Sequence, residues 1–196
     1  MSLDSTISSK IKSLRKQQQL TIERLAAKSG VSRSMISLIE REKASATASV
    51  LNNIANALNI SLPQLLSTDK DKVSNGPSKS TCESQNHWRD PETGYVRKQL
   101  TPPEFESDVE LTEVTFPPGQ AISFENASRT IKIHQQIWMI SGQLIIKTGE
   151  SSWRLDKGDC FAFSQPQLVT FSNPGTVEAK YLIALVSKKS SGESYV

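Results

Sequence analysis

The sequence is poor in the residues that most often declare a chemistry. It has two cysteines, Cys82 and Cys160, and two histidines, His87 and His134. Two thiols cannot build a disulfide framework, and they suit a reducing, cytoplasmic setting. With so few imidazoles and thiols, a zinc site of the usual His/Cys kind is all but excluded. No run approaches the about 18 apolar residues of a membrane helix, so no membrane partner is expected. The opening MSLDSTISSKIKSLRK has no apolar core of a secretion signal, so export is not expected either.

What is present divides in two. Residues 1–70 hold ten Lys/Arg against five acids, and the remainder holds 13 against 15. The overall charge of +3 therefore conceals a basic first third and a mildly acidic remainder. That asymmetry suits a polyanion-binding unit followed by a unit with another task. Between Ser67 and Gln85 runs STDKDKVSNGPSKSTCESQ, whose one aliphatic residue is Val73. Such a segment buries too little apolar surface to offset its ordering entropy and reads as a linker. The expected domains are 1–66, a 67–85 linker, and 86–196.

The first domain has helical rhythm. Ile7, Ile11 and Leu14 place one apolar stripe on a helix over about residues 5–18. Thr21, Ser32, Thr47 and Ser61 each stand where a hydroxyl caps a following helix, and Gly30 suits a left-handed helix end. The second domain has period-two alternation broken by Pro and Gly. GYVRKQL, ELTEVTF, QIWMI, QLIIK, SSWRL, DCFAFS, LVTFS and AKYLIALVS all read as short strands. Many short antiparallel strands argue for a sandwich or a jelly-roll barrel.

Two resemblances sharpen this reading. The segment IERLAAKSGVSRSMISLIER, residues 22–41, pairs two short helices across a Gly30 turn. With IKSLRKQQQLT before it and VLNNIANALNISLPQLL after it, residues 1–66 resemble the five-helix, lambda-repressor-like domain of Xre-type helix-turn-helix regulators. The resemblance implies double-stranded DNA as partner; a single such module reads only a few base pairs, so an operator of two half-sites and a homodimer joined through residues 86–196 are expected. It places Ser32, Arg33, Ser34 and Ser37 as base and phosphate readers, with Arg33 open to either a guanine or a phosphate contact. Leu38 falls where a thymine methyl is met, and Thr21, Lys43 and Asn52 fall at backbone contacts. Arg15 and Glu40 match an internal ion pair of the family. Ile22 departs from the frequent Gln, and Ala46 from the usual Pro.

From Trp88 to Ser187 the chain resembles the cupins, with PPG at 117–119 leading into QIWMISGQLII, and GDCFAFSQPQLVTFSNPG at 158–175. A cupin that holds a metal needs His and Glu ligands. The Glu position here is Gln135, the first His positions fall among residues 128–131, and the last is Val169. None of these suits a metal, so no metal and no cofactor is expected. His134 lies in the right strand but stands alone. What the barrel offers is a pocket for an unknown small-molecule effector, with Arg129, Lys132, His134, Gln136, Trp138 and Phe161 expected to face inward. The whole reads as a cytoplasmic, ligand-modulated, sequence-specific DNA-binding regulator without enzymatic activity. The alternatives are a cupin enzyme fused to an autoregulatory DNA-binding domain and an antitoxin-like interaction protein.

Overall fold

The computed structural model describes residues 3–67, 77–103, 105, 107–125, 131–164 and 168–189. Five helices come first among the described residues: α1 (Leu3–Gln17), α2 (Ile22–Ser29), α3 (Arg33–Glu40), α4 (Ala48–Ala57) and α5 (Leu62–Leu66). Their starts are set by the expected hydroxyls. Thr21, Ser32, Thr47 and Ser61 each accept a hydrogen bond from the amide three residues on, and Ser61 with Gln64 completes a capping box. Gly30 ends α2 in the left-handed conformation, φ 69°, which glycine adopts without Cβ strain. Ile7, Ile11, Leu25, Ile36, Leu51, Ile54 and Leu65 make the helical core.

Ten strands follow among the described residues: β1 (His87–Arg89), β2 (Val96–Gln99), β3 (Val109–Phe116), β4 (Ala121–Glu125), β5 (Ile131–Ser141), β6 (Leu144–Thr148), β7 (Ser151–Leu155), β8 (Cys160–Ser164), β9 (Leu168–Ser172) and β10 (Ala179–Lys189). They form two antiparallel sheets, in the orders β1-β2-β3-β10-β5-β8 and β4-β9-β6-β7. Taken alone, β3 to β10 alternate between the sheets in the order of two Greek keys, which is a jelly roll. The expected barrel is thus a sandwich of two sheets, and no ladder joins their edges among the described residues. At the β5–β6 hairpin Gly142 has φ +74°, and a Cβ there would lie 2.6 Å from the Glu178 carbonyl oxygen. Only glycine fits that turn.

β1 and β4 were not among the strands expected from the sequence. Residues 77–85, the second part of the expected linker, and Asn86 after them lie against the β2 side of the sandwich. Ser80 Oγ donates to the Leu100 carbonyl at 2.7 Å, and the Gln99 amide donates to the Asn86 carbonyl at 2.9 Å. Residues 68–76 lie outside the described residues.

The helical unit is not loosely tethered, as a flexible linker would leave it; it is seated on the sandwich. The Ala48 amide donates to Asp90 Oδ1 at 2.6 Å, Ser49 Oγ donates to the Ser123 carbonyl at 2.8 Å, and Ser61 Oγ donates to the Glu110 carboxylate at 3.0 Å. The amides of Asn52 and Asn56 converge on one acceptor, the Glu125 carbonyl, at 2.7 and 2.8 Å. Beneath these bonds the buried apolar residues of helices and strands form one connected cluster. The seam is made by α4 and the start of α5.

Candidate functional site

The helical face opposite the seam is built by α2 and α3. Their crossing is set from below by Leu25, Val31 and Ile36, all buried. Arg15 locks α1 to α3: its Nε and Nη2 donate to the two oxygens of Glu40 at 2.6 and 2.7 Å, and Nη1 donates to the Leu20 carbonyl. Both side chains are largely buried, and the Glu40 hydrogen bond raises the Arg15 pKa above its ordinary value. A cation so engaged is structural rather than a phosphate reader.

Ser32, Arg33, Ser34 and Leu38 are exposed at α3, with Ser37 half-buried beside them. Ser32 Oγ accepts from the Met35 amide and shares a hydrogen bond with Ser34 Oγ, so the first turn of α3 has its hydroxyls in one cluster. Arg33 Nε sits 2.9 Å from Glu23 Oε1 across the α2–α3 corner, at 72% side-chain exposure. The Glu23 carboxyl is held below its ordinary pKa chiefly by its own backbone amide, then by Thr21 and the Arg33 charge. Thr21 and Lys43 are exposed, as are Lys12, Arg24, Lys28 and Arg41.

Asn52 does not belong to that face. It was expected at a DNA backbone contact, but it is buried in the seam with its amide spent on Glu125. On α4 the positions of Ser49, Asn52 and Asn56 form one stripe, and that stripe meets β4.

Between the sandwich and the seam lies a small cavity of about 30 Å³. Tyr95, Arg97, Gln135, Tyr181 and Phe124 are among its walls, and Asn52 of α4 closes it from the helical side. The aromatic walls pack edge to face, with Tyr95 against Phe116 and Phe124 against Phe171. Burial pushes the hydroxyls of Tyr95 and Tyr181 above the ordinary tyrosine pKa.

The expected pocket residues need correction. In β5, Ile133, Gln135, Ile137 and Met139 are buried, whereas Lys132, His134, Gln136 and Trp138 are exposed on the outer face. The reading was one residue out of register, and with a side-chain period of two that turns all four residues outward. His134 pairs across the outer face with Ser164 Oγ at 3.0 Å. Phe161 does face inward, but it stacks on Trp153 and Phe163 and does not line the cavity. Arg129 lies outside the described residues. Of the expected metal-ligand positions, Gln135 and Val169 do face the interior, but an amide and an alkyl group do not make a metal centre. Arg97, Tyr95 and Asp90 were missed; in GYVRKQL the alternation of Tyr95 and Arg97 was the signal that a charge points inward.

Comparison with known proteins now bears on both units. Residues 11–65 match the family described as HTH_3: Helix-turn-helix. Residues 11–65 are a helix-turn-helix domain. The domain is docked through α4 and α5, and Arg33, Ser34 and Leu38 of α3 remain exposed. The chain as a whole is similar in fold to an HTH_3 family transcriptional regulator from Vibrio cholerae, at 22% identity and TM-score 0.74, covering 95% of this chain and 98% of that one. More distant likenesses are to hydroxypropylphosphonic acid epoxidase from S. wedmorenis (16% identity, TM-score 0.45, 92% and 97% covered) and to a cupin domain of an XRE family transcriptional regulator from Enterobacter cloacae (14%, 0.43, 48% and 98%). No curated protein matches the sequence. The helix-turn-helix domain precedes a jelly roll of two antiparallel sheets, and no described helix is long and apolar enough to cross a membrane.

Proposed function

We propose that the chain is a cytoplasmic, sequence-specific DNA-binding transcriptional regulator whose operator affinity is modulated by a small molecule held in the cupin-like domain, and that it is not an enzyme. The observation that carries this reading is the seam. The helix-turn-helix domain sits over the mouth of the sandwich cavity, and one of its own residues, Asn52, is part of the cavity wall. Occupancy of the cavity is therefore felt by the reading head without any relay through a linker. The metal-ligand positions, filled by Gln135 and Val169, support a binding role over metal-dependent catalysis.

We also propose that the working form is a homodimer paired through the outer face of the six-stranded sheet. Val109, Leu111 and Trp138 are exposed there, with Trp138 at 51%, and the register sets Leu182, Ala184 and Val186 between them. An apolar sheet face of this kind pairs isologously, and two reading heads then address two half-sites. Selection of bound sequences from a random duplex pool by the purified chain tests the DNA reading. The expected result is enrichment of a two-fold-symmetric site; a pool that stays random refutes sequence-specific binding. Light scattering of Trp138→Glu tests the dimer, which should fall to monomers while the wild type does not.

A further inference from the structure

Arg97 is 7% exposed, yet it has no carboxylate partner within ion-pair distance among the described residues. Its Nη1 donates to Tyr95 Oη at 2.8 Å and its Nη2 makes a long 3.4 Å contact with Thr112 Oγ1, which leaves part of its five-donor fork unused. Glu110 is the acid that feels its charge, from beyond ion-pair distance, and it accepts a hydrogen bond from Ser61. Gln135, on β5 with β3 and β10 between it and β2, lines the same cavity; it is also 7% exposed, and its amide makes no hydrogen bond among the described residues. A buried guanidinium with no carboxylate at ion-pair distance and a buried amide without a hydrogen bond are both costly, and both line one cavity.

We infer that this cavity binds a small monocarboxylate, anchored by Arg97 and Gln135 beneath helix α4. The inference rests on the proposed regulatory reading only for its consequence, not for the site. The ligand class follows from shape and charge. A guanidinium fork matches the two oxygens of a carboxylate, and one positive charge is balanced by one negative charge. A dianion such as phosphate or sulfate brings a second charge that nothing here neutralises. The other walls, Phe124, Ile133, Phe171 and Ile183, are apolar and favour a short hydrocarbon tail over a bare chloride. The free core of the cavity takes about two or three water-sized groups, so the acid has about two or three carbons. Asn52 lies on the opposite wall, so the bound acid sits directly under the seam.

Ligand-observed NMR on the full chain with 13C-labelled acetate and propionate, at ionic strength fixed with chloride and with sulfate as a second arm, tests the site. Saturable binding of one carboxylate per chain is expected, weakened about tenfold or more in Arg97→Gln. Because Arg97 is part of the core, Gln135→Leu is the second variant. It removes the unpartnered amide, should melt no lower than wild type, and should still bind the acid more weakly. Absence of saturable binding to the wild type overturns the site, as does equal binding of sulfate, or wild-type binding by both variants. Affinity for the selected DNA, measured with and without propionate, separates this site from the broader reading. Binding that leaves DNA affinity unchanged upholds the site and refutes modulation through it. Modulation by another small molecule, with no carboxylate bound, overturns the site and leaves the regulator.

Discussion

Asp90→Ala should loosen the seam more than any other single truncation there. Asp90 is 1% exposed, at the start of the β1–β2 hairpin. One carboxylate oxygen accepts from the Ala48 amide at 2.6 Å; the other accepts from the Thr93 amide at 2.7 Å and Thr93 Oγ1 at 2.8 Å. The same group therefore closes a turn in the sandwich and satisfies the first amide of α4 at its positive end. Leaving a buried amide unpaired costs about 1–3 kcal/mol, and the lost carboxylate–dipole attraction in a partly buried site up to about 2 kcal/mol. A loss of about 3 kcal/mol in a chain of 196 residues lowers Tm by about 6–12 °C. Asp90→Asn keeps one oxygen acceptor and should lose about half as much. Thermal melts followed by circular dichroism give the shift, and hydrogen exchange at the Ala48 amide reports the seam directly. A midpoint within about 2 °C of wild type, with the Ala48 amide still protected in Asp90→Ala, would refute the claim that this carboxylate holds the helices to the sandwich.

Three further outcomes follow from the same geometry. Glu110 has its pKa raised chiefly by burial, so the folded state favours its protonated form; the stability this gives is complete at pH below the ordinary carboxyl range and is lost as pH rises through the raised value. Glu110→Gln should therefore melt above wild type at pH 7, the gap closing as pH falls, and equal pH dependence of the two chains would contradict the assignment. Glu40→Ala strands the Arg15 guanidinium in a site where both side chains are largely buried, and should cost about 3–5 kcal/mol in denaturant titrations. Arg33→Ala breaks only an exposed pair with Glu23, so stability should move by no more than about 0.5 kcal/mol while discrimination between selected and random DNA falls by about 1–3 kcal/mol; equal losses on both DNAs would make it a phosphate contact.

The parts of this fold that the sequence discloses are those decided within a few residues. The starts of α2 to α5 each follow from a hydroxyl and the amide three residues on, so Thr21, Ser32, Thr47 and Ser61 could be placed without any tertiary information. Strand register is different, because β5 is positioned by β10 on one side and β8 on the other. Read alone, QIWMI offers Trp138 as its most hydrophobic candidate for the interior. The structure instead buries Gln135 and turns Trp138 outward. A buried polar residue at a binding cavity breaks the alternation by which register is read, so the misreading occurs at the candidate site itself. The three-residue β1 was missed for want of length; β4 is as long as strands that were read, and nothing in its length accounts for the omission. The seam was hidden more deeply, since two of its acceptors are the main-chain carbonyls of Ser123 and Glu125, groups every residue possesses.

The seam changes what control of DNA binding requires. With heads on slack tethers, a ligand in the sandwich has no direct hold on their spacing, and each head searches for its half-site independently. With α4 hydrogen-bonded to Asp90, Ser123 and Glu125, each head takes its orientation from the sandwich beneath it. In a dimer joined through the sandwich, the distance between the two α3 helices then becomes a property of the docked state. A ligand alters operator affinity only to the extent that it binds the docked and undocked arrangements unequally. The cavity wall meets that condition in one respect: Asn52 contributes to it only while α4 is seated. A ligand that touches Asn52 favours docking; one that displaces its amide from Glu125 opposes docking. Asn52→Ala discriminates these, because it removes the contact and leaves the Asn56 bond to the same carbonyl. If the ligand acts through docking, its effect on DNA affinity should shrink in Asn52→Ala while its binding to the sandwich persists. An undiminished effect would mean that the signal reaches the heads by a route other than α4.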